Sequence, residues 1–453
     1  MVQVGCMLVC GRCLQAHCHA HYARYPMRYV LPLAILLTLL TYTVLYTRHW
    51  EILQNLHPES DNGSFRTGSH SCSEVQHILT VQTLKSQLRR ECDVLKSMTR
   101  GKWIPGPYTR KEMDNLNEFI GMSRAQHGLP PSLERPDRLC GNVTFSHLAG
   151  MMHNLLWFRA LCDPQGPHPC CYHNRCTSGV SVQECRCPDC YDLRQPIHAE
   201  HATWVPSDPV CKIKHFHNKT DACQLLRNST VLMIGDSFMR HVYTAVLTFL
   251  RSDVPYGPKR WNTTSVQRRQ CRHDYIYQQS CSVYLDRDTR HCKNTTHLKF
   301  LEYIAARQSL IIREAIRQLH GIPNSYVLLG IGIHDNFNFG IIAAMLLHPL
   351  LEMLKYLRWP EVIWMSTHAP GLLKTPRVPS QSAESILEYN NKVKRLFQTS
   401  ATPVPILDFY NLTKDTMSFD GAHYGRGVNE AKAQIFLNYI LHRQRGVNVA
   451  GLS

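Results

Sequence analysis

Two short segments, far apart in the chain, carry residues that could together act as a nucleophilic catalyst. The first is Gly235-Asp236-Ser237, which directly follows the apolar run Val231–Ile234 and precedes a predicted helix at 238–250. A serine at such a turn lies at a helix N-terminus, where backbone N–H groups stabilise negative charge. Asp and Ser also cap helices at this position, so the segment by itself leaves a structural role open.

The second segment is Asp420-Gly-Ala-His423, which lies just before the last predicted helix at 428–443. A histidine three residues after an aspartate can face the same cleft. The imidazole would take the proton of the Ser237 hydroxyl, and the carboxylate would fix the tautomer of the imidazole. An isolated Asp-x-x-His is also a common polar loop. The combination with the Gly-Asp-Ser turn predicts a catalytic triad of Ser237, Asp420 and His423.

Alternating strands and helices would bring these two segments together. Apolar runs predict strands, and helical spacing predicts the helices between them: strands at 231–234, 326–333, 361–366 and 404–409, and helices at 238–250, 300–320, 340–358, 382–398 and 428–443. This order predicts an α/β fold with a parallel sheet covered by helices on both faces. The active site of such a sheet lies outside the carboxyl ends of the strands.

A Gly-Asp-Ser turn early and an Asp-x-x-His late in an α/β domain resemble the layout of SGNH, or GDSL-like, hydrolases. The residues on both sides of the Gly-Asp-Ser turn also resemble one branch of that superfamily, the PC-esterase group. The matching residues are Trp204-Val-Pro206, Cys211, Phe216 and Cys223-Gln-Leu225 before the turn and Arg240 after it. That group includes the plant trichome-birefringence-like polysaccharide O-acetyltransferases, the sialate O-acetyltransferase and the neurexophilin-and-PC-esterase proteins. The resemblance covers residues 204–445.

The resemblance implies an enzyme that transfers an acetyl group to a glycan hydroxyl through a serine acyl-enzyme. It implies acetyl-CoA as the acyl donor and a glycan or polysaccharide as the acceptor, and we expect no bound cofactor. A protein with a single membrane span cannot itself carry acetyl groups across the membrane, so a separate acetyl transporter or another lumenal acetyl donor would be needed. Two alternatives stay open: a carbohydrate or lipid acetylesterase with the same triad, and a catalytically inactive glycan-binding protein.

The SGNH layout further implies an asparagine that binds the oxyanion in a Gly-x-Asn-Asp block. The corresponding segment here begins at Gly330 and contains a histidine and two asparagines. We assign oxyanion or substrate binding to Gly332 and Asn336, with Asn338 or His334 as substitutes. Gly257 is a weak candidate for a second glycine block, and Arg240 is a candidate cation for the substrate, although a salt bridge on the helix face is its more ordinary role.

Residues 29–46 hold no charge and predict one transmembrane helix, since 18 residues at about 1.5 Å each just span a bilayer core. The apolar region of a cleaved signal peptide would be shorter. Residues 1–28 contain three arginines and no acid, which predicts a cytosolic N-terminus. The chain is therefore expected to be a single-pass type II protein of the Golgi or another secretory membrane, anchored by its signal sequence, with a lumenal catalytic domain.

Glycosylation sequons and cysteines support a lumenal location. Seven sequons follow the predicted span, at Asn62, Asn142, Asn218, Asn228, Asn262, Asn294 and Asn411. Fifteen of the 19 cysteines also follow it, and an oxidising lumen predicts disulfide bonds. Because 15 is odd, at least one cysteine is free or paired between chains. The single CxxC at Cys187 favours a disulfide over zinc, so we predict no metal site.

The sequence thus predicts five segments: a cytosolic tail at 1–28, a transmembrane helix at 29–46, a stem at 47–130, a cysteine-rich lumenal segment at 131–225 and an SGNH catalytic domain at 226–445. The net charge of +16 suggests an acidic partner. The predicted lumenal location disfavours nucleic acid, so an acidic glycan is the expected partner.

Overall fold

The computed structural model describes residues 92–146 and 157–450. The predicted cytosolic tail, the predicted span at 29–46, Asn62 and Cys72 lie outside these residues. Among the residues that are described, no helix is long and apolar enough to cross a membrane. The span at 29–46 therefore stays a prediction.

The strands, in chain order, are β1 (Gly101–Pro105), β2 (Thr144–Ser146), β3 (Trp157–Arg159), β4 (Cys170–Tyr172), β5 (Arg175–Thr177), β6 (Ala202–Pro206), β7 (Thr230–Gly235), β8 (Asp288–His291), β9 (Thr296–Leu301), β10 (Ser325–Gly330), β11 (Glu361–Met365) and β12 (Ile406–Leu407). The α-helices are α1 (Arg110–Gln126), α2 (Lys219–Leu225), α3 (Ser237–Arg251), α4 (Ser265–Gln270), α5 (Ser309–Arg317), α6 (Phe339–Ile342), α7 (His348–Leu354), α8 (Ala383–Thr399), α9 (Tyr410–Thr413) and α10 (Arg426–Ala450). A π-helical turn joins α6 to α7.

Six strands form the central sheet, in the order β12-β11-β10-β7-β9-β8. Neighbouring strands are parallel except for the edge strand β8, which runs antiparallel to β9. The strand order reverses at β7, because β9 lies on one side of it and β10 on the other. Ligands of open α/β sheets bind at such a reversal point, and Ser237 directly follows β7.

Helices cover both faces of this sheet. Val231 and Met233 of β7 pack in one hydrophobic cluster with α3 and α10. Leu232 and Ile234, which point to the other side of the same strand, pack in a second cluster with α5, α6, α7 and α8. Alternate residues of this buried strand therefore pack into two separate hydrophobic cores, one on each face of the sheet. The predicted α/β fold with a parallel sheet and helices on both faces is confirmed.

One predicted helix, at 300–320, is wrong in its first part. Residues Thr296–Leu301 form β9, and α5 begins only at Ser309. Buried and half-buried residues alternate along β9, which is the period of a strand and not of a helix. His297 and Lys299 on its more exposed face pair with Asp288 of β8. The antiparallel edge of the sheet was therefore missed.

Residues 92–130, which the sequence analysis assigned to a stem, belong to the folded body. Cys92 forms a disulfide with Cys211, and β1 pairs with β6 along five residues. Helix α1 begins with a capping box between Thr109 and Glu112 and packs on Phe419. Any stem is therefore confined to residues 47–91, outside the described part of the chain.

Trp103 explains why this segment folds onto the domain. Its side chain is 7% exposed and packs edge-on against Trp204, with ring centroids 5.5 Å apart. The Trp103 indole N–H donates to the carbonyl of Leu412 at 2.7 Å. A buried indole needs such an acceptor, and this one comes from the far end of the chain.

All cysteines of the described residues are paired. The disulfides are Cys92–Cys211, Cys140–Cys171, Cys162–Cys176, Cys170–Cys185, Cys187–Cys190, Cys223–Cys292 and Cys271–Cys281. The predicted disulfides of the cysteine-rich segment are confirmed. The sulfur atoms of Cys140, Cys162 and Cys176 lie close together, but each is part of a disulfide and offers no thiolate to a metal.

Replacing Trp103 by alanine tests whether the 92–130 segment is part of the body. Trp103→Ala should lower the free energy of unfolding by about 3–5 kcal/mol, as large-to-small changes in a core do. The matched control is Ile104→Ala, one residue along the same strand and 41% exposed, which should change stability by no more than about 0.5 kcal/mol. Chemical denaturation measures both. Equal, small effects would show that this segment is a detached stem.

Candidate active site

The turn after β7 places Ser237 at the start of α3. Gly235 is needed there, because a Cβ at this position would lie 2.3 Å from the carbonyl oxygen of Gly330 on the neighbouring strand. Asp236 is the N-cap of α3, and its Oδ1 accepts the backbone N–H of Phe238 at 2.9 Å. The capping role therefore falls to Asp236, and the Ser237 hydroxyl is available for another partner.

The structure brings the three predicted triad residues together. Oγ of Ser237 lies 2.7 Å from Nε2 of His423, and Nδ1 of His423 lies 2.6 Å from Oδ2 of Asp420. A carboxylate only accepts hydrogen bonds, so the proton of neutral His423 lies on Nδ1. The lone pair of Nε2 then points at the serine hydroxyl, as a general base requires.

The carboxylate of Asp420 is held by its own loop. Its Oδ1 accepts the backbone N–H groups of Ala422 and His423, at 2.8 and 2.7 Å. Burial would raise the pKa of this carboxyl, whose side chain is 6% exposed, but the charge and hydrogen bond of His423 and the charge of His127 hold the pKa of Asp420 well below its usual range. Asp420 is therefore an anion at neutral pH.

His127 is a site residue that the sequence analysis missed. Its Nε2 lies 3.1 Å from Oδ2 of Asp420, the same oxygen that binds His423. It follows the C-terminus of α1, in a segment that was read as a stem. No motif spacing links residues 127 and 420, so only tertiary packing could have placed this histidine beside the triad.

His127, Asp420 and His423 offer ligand atoms within 4.8 Å of one another, and two imidazoles with one carboxylate can bind zinc. Two ligands of one tetrahedral metal at about 2.0–2.1 Å would lie about 3.3 Å apart. The 2.6 Å between Asp420 and His423 is shorter and fits a hydrogen bond. A metal would also displace the contacts that make the triad, so a hydrogen-bonded triad describes these residues better.

A cleft of about 610 Å³ opens at Ser237. Most of the residues that line it have polar side chains. They come from α1 and the residue after it, α3, the segment before β8, the segments after β9 and β10, and the loop before α10: Ser123, His127, Ser237, Arg240, His241, Tyr277, Gln278, Gln279, Arg287, Glu302, Ile304, Gln308, His334, Phe419 and His423. A wider groove of about 690 Å³ lies where β11 begins and holds no triad residue. The Ser237 cleft is therefore the candidate site.

Two arginines share one carboxylate in this cleft. Nη1 of Arg240 donates to Oε1 of Glu302 at 2.9 Å, and Nη2 of Arg287 lies 2.7 Å from Oε2 of the same residue. The salt bridge considered for Arg240 is thus present, and Arg240 also lines the cleft. These three side chains together carry one excess positive charge.

His241 lies behind the catalytic histidine. Its ring centroid is 5.3 Å from that of His423, and its side chain is buried. Burial, with the charge of Arg240 beside it, holds the pKa of His241 well below its usual range. His241 is therefore a neutral wall of the cleft at physiological pH.

The loop after β10 differs from the predicted oxyanion assignment. Asn336 is not among the residues that line the Ser237 cleft, and its Oδ1 lies 3.4 Å from the amide nitrogen of Gln381. Asn338 caps α6, because its Oδ1 accepts the backbone N–H of Ile341. Within this loop His334 lines the cleft. Neither asparagine is among the residues that line the cleft.

The two glycines considered for this role also serve packing. A Cβ on Gly332 would meet the ring of Phe337 at 2.7 Å, and a Cβ on Gly257 would meet the carbonyl of Asp253 at 2.3 Å. Neither lines the Ser237 cleft. The sequence did contain a signal for His334, because Gly332-Ile-His334-Asp335 has the spacing of Gly-x-Asn-Asp with histidine in place of asparagine.

A buried pair supports the triad loop from behind. Nε2 of His368 lies 2.7 Å from the carbonyl oxygen of Ala422, between the two triad residues of that loop, and Nζ of Lys432 lies 2.9 Å from Nδ1 of His368. A carbonyl needs a donor, so Nε2 of His368 carries the proton and Nδ1 accepts from the lysine. Lys432 is 1% exposed, and burial lowers its pKa to about 7.

The sequon asparagines within the described residues are all exposed: Asn142, Asn218, Asn228, Asn262, Asn294 and Asn411. Exposure is the condition for attaching a glycan, and glycosylation itself stays a prediction.

Comparison with known proteins gives a distant structural likeness only. No family model and no curated protein matches the chain. Three solved structures each cover 47% of it: a lipolytic protein of the G-D-S-L family from Veillonella parvula DSM 2008 (10% identity, 96% of that chain, TM-score 0.28), the aryl esterase of M. smegmatis (13%, 99%, 0.29) and Est24, a carbohydrate acetylesterase from Sinorhizobium meliloti (11%, 99%, 0.26). TM-scores this low carry no argument about the activity of this chain.

Lys432 should make the stability of the protein depend on pH. Its pKa is about 7 in the folded chain and about 10.4 in an unfolded one. The unfolded chain therefore binds more protons between pH 7 and 10, and this lysine makes stability rise with pH in that window. Lys432→Met should remove that part of the slope, which is on the order of a few kcal/mol.

Denaturation at a series of pH values from 6 to 10 measures this slope. Lys392→Met, on an exposed face of α8, is the matched control and should leave the wild-type slope unchanged. If the free energy of unfolding changes with pH to the same extent in wild type and in Lys432→Met, the lysine titrates normally and is not buried as described.

Proposed function

We propose that this protein is an acyl-transfer enzyme that works through an acyl-enzyme on Ser237. The observation that carries this is the continuous hydrogen-bonded chain from Ser237 through His423 to Asp420 at the switch point of the sheet. A serine hydroxyl is a poor nucleophile unless a base removes its proton in the transition state. His423 is positioned to do so, and Asp420 stabilises the imidazolium that forms.

The first half-reaction forms the acyl-enzyme. Ser237 Oγ attacks the acyl carbonyl of the donor while its proton moves to Nε2 of His423. The tetrahedral intermediate then collapses, the bond to the donor's leaving group breaks, and His423 returns the proton to that group. With acetyl-CoA, the proposed donor, the leaving group is the thiol of CoA.

The oxyanion of that intermediate needs donors. The backbone N–H of Ser237 belongs to the first turn of α3, whose N–H groups have no partner inside the helix and favour negative charge. His334 is the side chain of the loop after β10 that lines this cleft. We propose these two groups as the oxyanion donors, in place of Asn336.

The second half-reaction is transfer to a hydroxyl of a glycan. His423 takes the proton of the sugar hydroxyl, which attacks the acyl-serine, and Ser237 recovers its proton. The resemblance to glycan O-acetyltransferases supports this acceptor. The glutamines and tyrosine that line the cleft suit hydroxyl groups, and the excess positive charge of the Arg240, Arg287 and Glu302 group suits an acidic glycan. A lumenal Golgi location and a separate acetyl transporter belong to this proposal.

Replacing triad residues tests the acyl-enzyme. Ser237→Ala and His423→Ala should each lower kcat by roughly 10³- to 10⁶-fold, and the double variant should be little worse, because the residues act as one unit. Asp420→Asn should cost less, since orientation is only part of the effect. The assay follows labelled acetyl-CoA into a glycan pool, with p-nitrophenyl acetate as a simple acyl donor and Ser132→Ala, an exposed serine, as control.

Mass spectrometry of the Ser237 peptide and the fate of the label separate the alternatives. Acetyl on Ser237 that passes to glycan supports the transferase, and acetyl that appears as free acetate identifies an esterase with the same triad. If Ser237→Ala keeps full turnover of a substrate that wild type processes, the serine mechanism is wrong. Absence of both acyl-serine and product indicates a catalytically inactive protein, and binding of the same glycan pool then tests the glycan-binding alternative.

A further inference from the structure

The C-terminus of α1 holds His127 in a fixed place beside the triad. Gly128 has a positive φ of 70° and ends the helix, and the N–H of Leu129 bonds back to the carbonyl of Arg124 at 3.0 Å, as in glycine-terminated helix caps. The Gln126 amide also donates to Gln278 in the cleft wall at 2.8 Å. His127 is therefore positioned by the fold and is not a loose surface side chain.

Both ring nitrogens of His127 face oxygen acceptors. Nδ1 lies 2.8 Å from the carbonyl oxygen of Ser123, in the last turn of α1, and Nε2 lies 3.1 Å from Oδ2 of Asp420. Neither oxygen can donate, so the ring satisfies both contacts only when both nitrogens carry protons. A helix C-terminus and a carboxylate each favour a positive charge at this point. The observed geometry thus fits an imidazolium.

Asp420 is shared between two histidines. Its Oδ2 forms a hydrogen bond with Nδ1 of His423 and lies 3.1 Å from Nε2 of His127, and the two imidazole rings are 5.9 Å apart. A proton on His127 partly neutralises the carboxylate and repels a second proton on His423. The position of Asp420 does not depend on this contact, because two backbone N–H groups of its own loop already hold Oδ1. The influence of His127 is therefore mainly electrostatic.

We propose that His127 acts on the triad electrostatically, through Asp420, and that a positive charge on His127 weakens His423 as the catalytic base. The proposal rests on the acyl-enzyme function proposed for Ser237. It brings the 92–130 segment into the catalytic unit and makes the strength of the base respond to pH.

Other charged and titratable groups that line the cleft or interact with the triad are the same in every variant: Lys374 of the loop after β11, Arg240 and His241 of α3, Arg287 before β8, Glu302 after β9, His334 after β10, and His368 with Lys432 behind the triad loop. Burial lowers the pKa of Lys432 to about 7, so its ionisation is present in wild type and variants alike. His127 differs from these groups because it contacts the triad carboxylate directly. A unit charge about 6 Å from a base, partly screened by water, changes its proton affinity on the order of 3- to 30-fold.

Two substitutions separate the charge of His127 from its hydrogen bond. His127→Gln keeps a neutral donor and cannot ionise, so the acid limb of its kcat/KM profile should follow one ionisation fewer than that of wild type. His127→Arg carries a permanent charge. Its plateau of kcat/KM at high pH should fall on the order of 2- to 5-fold, because the rate follows only part of the change in basicity, and its acid limb should move to lower pH.

The measurement is kcat/KM of the full-length protein for p-nitrophenyl acetate between pH 4.5 and 9, with the rate of Ser237→Ala subtracted. His320→Arg is the matched control, because His320 is exposed and lies after α5, near the end of the sheet where the central strand β10 begins. It adds the same charge far from the triad and should reproduce the wild-type profile. KM should change less than kcat, since the effect is on the base.

Suppose that Ser237→Ala remains inactive, but the pH profiles of His127→Gln and His127→Arg match that of wild type in both plateau and acid limb. The proposed role of His127 is then wrong. Equal losses in both variants, with no displacement of the acid limb, would also overturn it, because they indicate a purely structural role. If His127→Arg fails to fold in thermal unfolding, the number of ionisations in the His127→Gln limb decides. Activity in Ser237→Ala would instead refute the proposed function itself.

Discussion

The buried carboxylate of Asp420 is the group on which the rest of the site depends. An anion with a 6% exposed side chain is costly unless donors surround it. Here two backbone N–H groups bind one oxygen, His423 binds the other, and His127 lies 3.1 Å from that second oxygen. This full set of partners keeps the carboxylate ionised, fixes the tautomer of His423, and so points a lone pair at Ser237.

Packing on three sides keeps that arrangement in place. The order of the parallel sheet puts Ser237 at the point where the strand order reverses, and α10 begins directly after the Asp420 loop. Behind the loop, His368 donates to the carbonyl of Ala422, and Lys432 donates to His368. In front, the side of α1 packs on Phe419, with ring centroids of Phe119 and Phe419 5.2 Å apart. The segment 92–130 therefore both stabilises the fold and borders the active site.

The residues that line the cleft include two arginines and several histidines but only one acid, Glu302. Arg240 and Arg287 share Glu302, and the histidines of the cleft differ in environment. Burial holds the pKa of His241 well below its usual range, whereas His127 contacts a carboxylate and a helix C-terminus. The cleft thus combines a neutral His241 with the excess positive charge of the Arg240, Arg287 and Glu302 group.

The sequence by itself determined the elements whose signals are local. The apolar run before Gly235 and the helix after it specified β7, α3 and the place of Ser237, and alternation along the chain specified the parallel sheet. Period and spacing are properties of neighbouring residues, so they can be read directly. Tertiary structure alone decided that His127 meets Asp420, that Trp103 is buried and that Asn336 does not line the cleft. These contacts join residues far apart in sequence, and no local pattern encodes which distant partner a side chain will find.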